Sequence, residues 1–326
     1  MGIIDSLSAG YRFLYRRLWL LLIPVFLDLA LWVLPRCSVS SLLLQVADFY
    51  RQSASTEGLP AEIVEMSEQV AEMIVSLGEG SNLMTQLVNQ SLLHVPSLIV
   101  LMGPMPSQVI NEVATWGQAA VLFVGIGFVG LLIGVFYLSL LAHYLPIGGE
   151  SKAATIPEFI GRVLRSWGLV LAFVVLVFLA LVAIYIPVSI GMGLVAFFSP
   201  VLSSVIAMFL AGLTMLGFFY LYFVPAALIL DNLSLPTAVV HSVRLVRNYF
   251  FPTLGFVLLT NVISIGFALI LTRLGAFIPV GVLVAIVVNA FIGTGLAMAL
   301  LVFYRTRWIQ LAEVTVVQDD VLNIED

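Results

Sequence analysis

Asp28 stands ten residues into an apolar run that begins at Leu18, and no other residue in the chain implies as much chemistry. In a helix it lies roughly 15 Å from the start of the run, close to the middle of a bilayer. A carboxylate there costs about 2.5–3.5 kcal/mol on insertion scales. A residue that carries such a cost serves either a coupled proton or solute site, or a polar contact between helices. No Lys or Arg shares its depth, since Arg36 follows two turns later. Asn261 and Asn289, each inside a later apolar run, are the expected partners. A protonated Asp28 bonded to an Asn would tie the first and third helical hairpins together. The same three residues are also the only polar set that could couple a solute.

Other chemistry is excluded by position. Of the three histidines, His94 falls on the opposite side of the membrane from His143 and His241, so no His-rich metal site is expected. Ser242, His241 and Asp231 can be drawn as a nucleophile, base and acid. Adjacent residues on a helix diverge, however, so no catalytic residue is assigned and no enzyme activity is expected. The run Gly125-Ile126-Gly127-Phe128-Val129-Gly130 matches the dinucleotide pattern, but it sits inside an apolar run with no strand before it. Its glycines, with Gly134, read instead as small residues for close helix packing. The single cysteine, Cys37, excludes an internal disulfide and a cysteine-based metal cluster. No cofactor, no metal and no nucleic acid is expected.

The elements that hold these residues follow from composition. The chain is 62% hydrophobic and 10% charged, where a soluble domain carries about 25% charged residues. Its mean hydropathy is +1.15. Six runs are long enough to cross a ~30 Å hydrocarbon core: Leu18–Leu34, Gln118–Leu145, Gly168–Ile186, Val201–Leu230, Thr253–Thr272 and Phe277–Tyr304. The expected fold class is an all-α integral membrane protein. Six transmembrane helices form three hairpins, with inner interfacial helices and a helical outer cap.

Arg stands two residues before an aromatic at Arg17-Leu18-Trp19, Arg165-Ser166-Trp167 and Arg247-Asn248-Tyr249, each just ahead of an apolar run. Arg at the headgroups with an aromatic at the interface anchors a span where it begins. Ten basic residues fall on the side of Arg12, Arg162, Arg244 and Arg305, and only Arg36, Arg51 and Arg273 fall on the other. The positive-inside rule then predicts a multi-pass protein of the cell (plasma or inner) membrane with both termini cytoplasmic. The basic start lacks a small-x-small cleavage site, so it reads as a first span and not as a cleaved signal.

The expected organisation has eight parts. An interfacial helix and first span (1–34) lead into an extracytoplasmic helical loop (35–117) and a second span (118–145). An inner interfacial helix (146–167) precedes spans three and four (168–230). A further inner helix (231–252) precedes spans five and six (253–304), and an acidic tail (305–326) closes the chain. Ile156, Phe159, Ile160 and Val163 predict the stripe that one interfacial helix buries at the headgroup boundary, and Val239, Val243 and Val246 that of the other. In the outer loop, Pro60–Leu77 reads as a helix with Ile63, Met66, Val70, Ile74 and Leu77 on one face and glutamates on the other. Ser41–Tyr50 and Asn82–Leu93 are shorter candidates, Val95–Met102 is apolar but too short to span, and Ser107 with Gln108 and Glu112 predicts the start of a helix running into span two. The loop holds eight acidic residues against Arg36 and Arg51. That charge is either a solvated face near anionic lipid or a docking surface for other membrane subunits.

Residues 223–259 carry Pro225, Asp231, Ala238, Ser242, Arg244, Arg247 and Tyr249 in a fixed order. This segment resembles the bacterial multi-pass proteins related to the membrane domain of some glycerophosphodiester phosphodiesterases. The resemblance implies a six-span bundle with interfacial helices. It brings no mechanism, and no soluble phosphodiesterase domain accompanies it. The ~80-residue outer loop departs from that pattern. On the residues themselves, Asp231 is expected to cap its helix or pair with Arg244 or Arg247. Arg17, Arg165, Asp231, Arg244 and Arg247 are the candidates for anchoring or for meeting lipid headgroups. Two classes of function follow: a structural or accessory membrane protein organising an assembly, or a lipid-handling protein or small-solute transporter using Asp28, Asn261 and Asn289. Membrane lipids are the expected partners in both.

Overall fold

Apolar runs of this length satisfy their backbone polar groups within the helix, because a lipid core offers none. The computed structural model describes residues 2–55, 61–88, 95–103, 108–145 and 155–322, with side chains to residue 312. These residues are predominantly helical, and among them five helical stretches are long and apolar enough to cross a membrane: Trp116–His143, Ile156–Phe198, Pro200–Leu230, Phe250–Gly275 and Val280–Ala312. The Leu18–Val33 segment is apolar but shorter. Contacts divide the chain into two units, one of Met1–Arg17, Val135–Val262 and Gly295–Asp326, the other of Leu18–Gly134 and Ile263–Thr294.

In chain order the helices are α1 (Ile3–Tyr15), α2 (Leu22–Val33), α3 (Ser40–Ala54), α4 (Ala61–Gly80), α5 (Ile99–Met102), α6 (Trp116–His143), α7 (Ile156–Phe198), α8 (Pro200–Tyr220), α9 (Val224–Leu230), α10 (Leu235–Asn248), α11 (Phe250–Gly275) and α12 (Val280–Leu322). Two short strands, β1 (Arg36–Ser38) and β2 (Ile110–Glu112), pair in parallel with Arg36 opposite Ile110.

In the first unit, α1 buries Ser6, Leu7, Gly10 and Leu14, a stripe at helical spacing. Gly10 lets α1 lie directly on α12, since a Cβ there would sit 2.6 Å from the Ala299 amide nitrogen. Gly295 of α12 leaves room in turn for the Tyr11 ring. Burial there pushes the Tyr11 phenol up to about 12. The start of α7 is fixed by Thr155 and Glu158, whose carboxylate accepts from the Thr155 N–H at 3.1 Å, with Pro157 in the first turn. Nothing then interrupts the helix for 43 residues.

Two expectations are corrected by α7. The inner interfacial helix 146–167 is not separate in its described part, because α7 runs on through Ser166, Trp167 and Gly168 without a break. The stretch between the expected runs Gly168–Ile186 and Val201–Leu230 is helical through Phe198, with Pro187 inside. Proline in a helix forfeits one hydrogen bond without having to end it. Against the rest of the protein α7 buries Val163, Ser166, Val170 and Phe173, while Ile156 and Ile160 of the apolar stripe are exposed. On α10 the buried set is Ala238, Ser242, Leu245 and Val246, with Val243 exposed. The expected fourth span is likewise two pieces, broken at Leu221–Phe223 between α8 and α9.

In the second unit, a 3-10 turn (Leu18–Leu21) leads into α2. Helices α3 and α4 pack as an antiparallel pair, with Ala71 and Gly78 buried; Gly78 lies against Ser40 and Leu43. The expected apolar stripe of α4 is turned partly outward, with Met66 and Leu77 exposed. Small residues, not large ones, make the seam. Residues 110–112 form β2 and not the expected helix start, and Gln108 caps α2 by donating to the Leu31 and Trp32 carbonyls. Arg36 is nearly buried, donating to the Ser81 and Glu79 carbonyls. A small core of Leu42, Val113 and Ala119 closes beneath, with Val39, Leu83 and Leu122 around it. The expected Asn82–Leu93 helix is a 3-10 turn at Leu83–Leu87, and its last residues lie outside the described ones, as do Pro60, His94 and Ser107.

Candidate functional site

Two polar centres stand out, one in each unit. In the second unit, Asp28 is fully buried on α2. Its carboxylate accepts from the Ser97 hydroxyl and, at 2.8 Å, from the Leu98 N–H. Ser97 and Leu98 open α5, whose first amides have no partner within so short a helix. The carboxylate therefore acts as a cap from a distant segment, joining residues 97–98 to α2. The expectation of an Asn partner is corrected on this point. Asn261 is exposed and donates to the Val257 carbonyl of its own helix at 2.8 Å. Asn289 is half-buried on α12. Ser97 carried no signal in the sequence, because a serine in a short apolar loop segment resembles many others.

In the first unit the centre is the elbow between α8 and α10. Its path is set by Ser242, which is fully buried, donates to the Tyr220 carbonyl at 2.7 Å and accepts from the Phe223 N–H at 3.1 Å. These are backbone groups freed by the break after α8. Phe223 then stacks on Phe303 at 5.9 Å between ring centroids, and Phe303 on Phe256 at 4.5 Å. Helix α9 ends at Asp231, and Asn232 follows with φ 50°, the left-handed step that commonly stops a helix and that Asn tolerates.

Asp231 is where expectation and geometry part. It pairs with Arg305 and accepts from the Tyr304 hydroxyl at 2.6 Å, both on α12. Arg244 and Arg247, its expected partners, are exposed on α10. The reason is direction: Ser242 faces inward, so residues two and five positions later project away from the elbow. Arg307 reaches back over Tyr249, 5.1 Å from the ring centroid. Arg17 donates to the Tyr144 carbonyl at 3.0 Å and lies over that ring at 4.9 Å. Arg165 is exposed on α7.

His241 stacks on Trp308 at 3.7 Å, and its Nδ1 is buried with no hydrogen bond among the described residues. Burial holds this imidazole below its ordinary range, aided by Arg244 and opposed by Asp231. Ser242, His241 and Asp231 thus each contact other residues: the Tyr220 carbonyl, the Trp308 ring and Arg305. The glycine pattern lies wholly within α6, with no strand before it. Among the described residues no group of His, Cys, Asp and Glu is placed to hold a metal ion.

No protein-family model, curated protein or solved structure matches the chain.

Proposed function

We propose that this is a six-span cell-membrane protein with both termini cytoplasmic, serving as a structural or accessory subunit that organises or stabilises a membrane assembly. The sixth crossing is the Leu18–Val33 segment, about 24 Å of helix if fully α-helical, which local bilayer thinning accommodates. One observation carries the reading: Asp28, the costliest residue to place in lipid, accepts from Ser97 and Leu98 of the same chain and so serves as a tie between two of its segments. The elbow at 223–259, which resembles the membrane domain found on some glycerophosphodiester phosphodiesterases, supports the same reading, because Asp231 and Ser242 hold backbone and helix ends in place. The acidic face of α4, with Glu65 and Glu72 exposed, is the surface offered to a partner subunit.

Native mass spectrometry of the protein extracted in a lipid-preserving detergent tests this. A stoichiometric second polypeptide is the expected result. A lone chain that retains one defined solute, and loses it in Asp28→Asn, would overturn the proposal in favour of transport.

A further inference from the structure

A cleft of about 70 Å³ opens in the first unit where α6 ends, α7 begins and α9 ends. That is several times the space one water needs and far below the 300–1,000 Å³ of a site for a drug-sized ligand. Its polar lining is Ser139, His143, Arg162, Ser166 and Asn232. All five side chains can donate, and none is acidic.

Three features keep this set free for a ligand. Glu158 stands one turn before Arg162 and would be its natural ion-pair partner. Instead its carboxylate turns back to the Thr155 N–H. Asp231, beside Asn232, is held by Arg305 and Tyr304. Among the described residues, no hydrogen bond or ion pair engages Arg162, Ser139 or Ser166, although Ser166 is only 3% exposed. The end of α6 would ordinarily present carbonyls hostile to an anion. Here Leu141 O accepts from Tyr144 N, Ala142 O from Leu145 N, and Tyr144 O from Arg17. His143 is steadied edge-on by Phe159 and Tyr144, at 5.6 and 4.9 Å.

We propose that this cleft binds a phosphate group, with Arg162 as the charged fork and the Ser139 and Ser166 hydroxyls and the Asn232 amide completing the donor set. A planar guanidinium gives two parallel hydrogen bonds to such an oxyanion, and the hydroxyls beneath it turn to suit. The cleft admits the phosphate alone, so the remainder of the ligand, if it has one, lies outside. The phosphate is either a lipid headgroup or the free ion, and the test separates the two.

The full chain is delipidated in detergent and titrated with inorganic phosphate by calorimetry. It is also placed in vesicles of phosphatidylcholine with and without phosphatidic acid, and retained lipid is counted by native mass spectrometry. Arg162 is exposed, so Arg162→Gln folds. It is expected to lose at least tenfold in affinity for whichever probe binds, with Arg162→Lys recovering part of the loss because it restores charge without the fork. Ser166→Ala gives a smaller loss at the same site. Arg12→Gln, an exposed change on α1, stays within twofold. Saturable phosphate binding identifies the free ion, and retention of phosphatidic acid alone identifies a headgroup. Binding of neither probe, or an equal effect of Arg162→Gln and Arg12→Gln, overturns the proposal.

Discussion

Removing the Asp231 carboxylate leaves two partners stranded on α12. Breaking a buried ion pair from one side costs roughly 3–5 kcal/mol. The Arg305 and Asp231 side chains are 22% and 10% exposed, and Arg305 has a further interaction. Water and that second partner relieve part of the loss, so Asp231→Ala is expected near the lower bound, about 3 kcal/mol. Tyr304→Phe removes only one hydrogen bond to a charged acceptor that keeps Arg305, about 1.5 kcal/mol. The two share an interaction, so they do not add: a double-mutant cycle should give a coupling of at least ~1 kcal/mol. Replacing all three groups, as Asp231→Leu, Arg305→Met and Tyr304→Phe together, restores an apolar junction and recovers most of the stability. The assay is unfolding in mixed micelles, followed by tryptophan fluorescence as the denaturing detergent is raised. An Asp231→Ala loss below about 0.5 kcal/mol, the level of an ordinary surface change, would refute the assignment of this pair as the lock on the elbow.

Gly10→Ala puts a Cβ 2.6 Å from the Ala299 amide nitrogen and should cost about 1–3 kcal/mol through backbone displacement. Gly125→Ala meets nothing within 4 Å and should be neutral or stabilise by up to ~1 kcal/mol in the same micelle assay. For His241 the folded pKa is lowered, chiefly by burial. Below about pH 6.5 the unfolded chain takes up a proton that the folded chain refuses, so stability holds above that pH and falls as pH drops through the window. His241→Phe should flatten that fall in midpoints measured across the acid range. Asp28→Ala and Ser97→Ala should each destabilise, the first by roughly 1–3 kcal/mol because it also strands the Leu98 N–H. Strict additivity of the two would contradict the shared bond.

Long elements were legible from sequence because lipid enforces them: an uncharged run such as Gly168–Ile186 has few structures open to it. Their ends were less so. The register Arg165-Ser166-Trp167 has the pattern of a membrane interface, and pattern alone does not separate an interface from a boundary between helices. An interface is a property of the solvent, and α7 crosses it unbroken. The faces that pack on other helices are hard to read for a related reason. Hydrophobic periodicity finds the greasiest stripe, which in α10 includes Val243, but close helix contacts select small residues such as Ala238 and Ser242. The strands β1 and β2 are three residues each, too short for any alternation to register. Asp28 was found by its burial cost. Its partner was not, because Ser97 is common in type and distant in sequence, and only the folded chain brings the two together.

The continuity of α7 has a mechanical consequence. From Gly168 to Phe198 it carries no charge, and that stretch is about 46 Å long at 1.5 Å per residue. A hydrocarbon core of ~30 Å is matched almost entirely by the part ending at Pro187. To submerge the rest, a straight rod would have to lean by roughly 50°, beyond the 0–40° range of natural spans. The residual three turns, tipped by Phe197 and Phe198, therefore reach beyond such a core, and any bend that accommodates them is cheapest at Pro187, where the helix lacks a hydrogen bond.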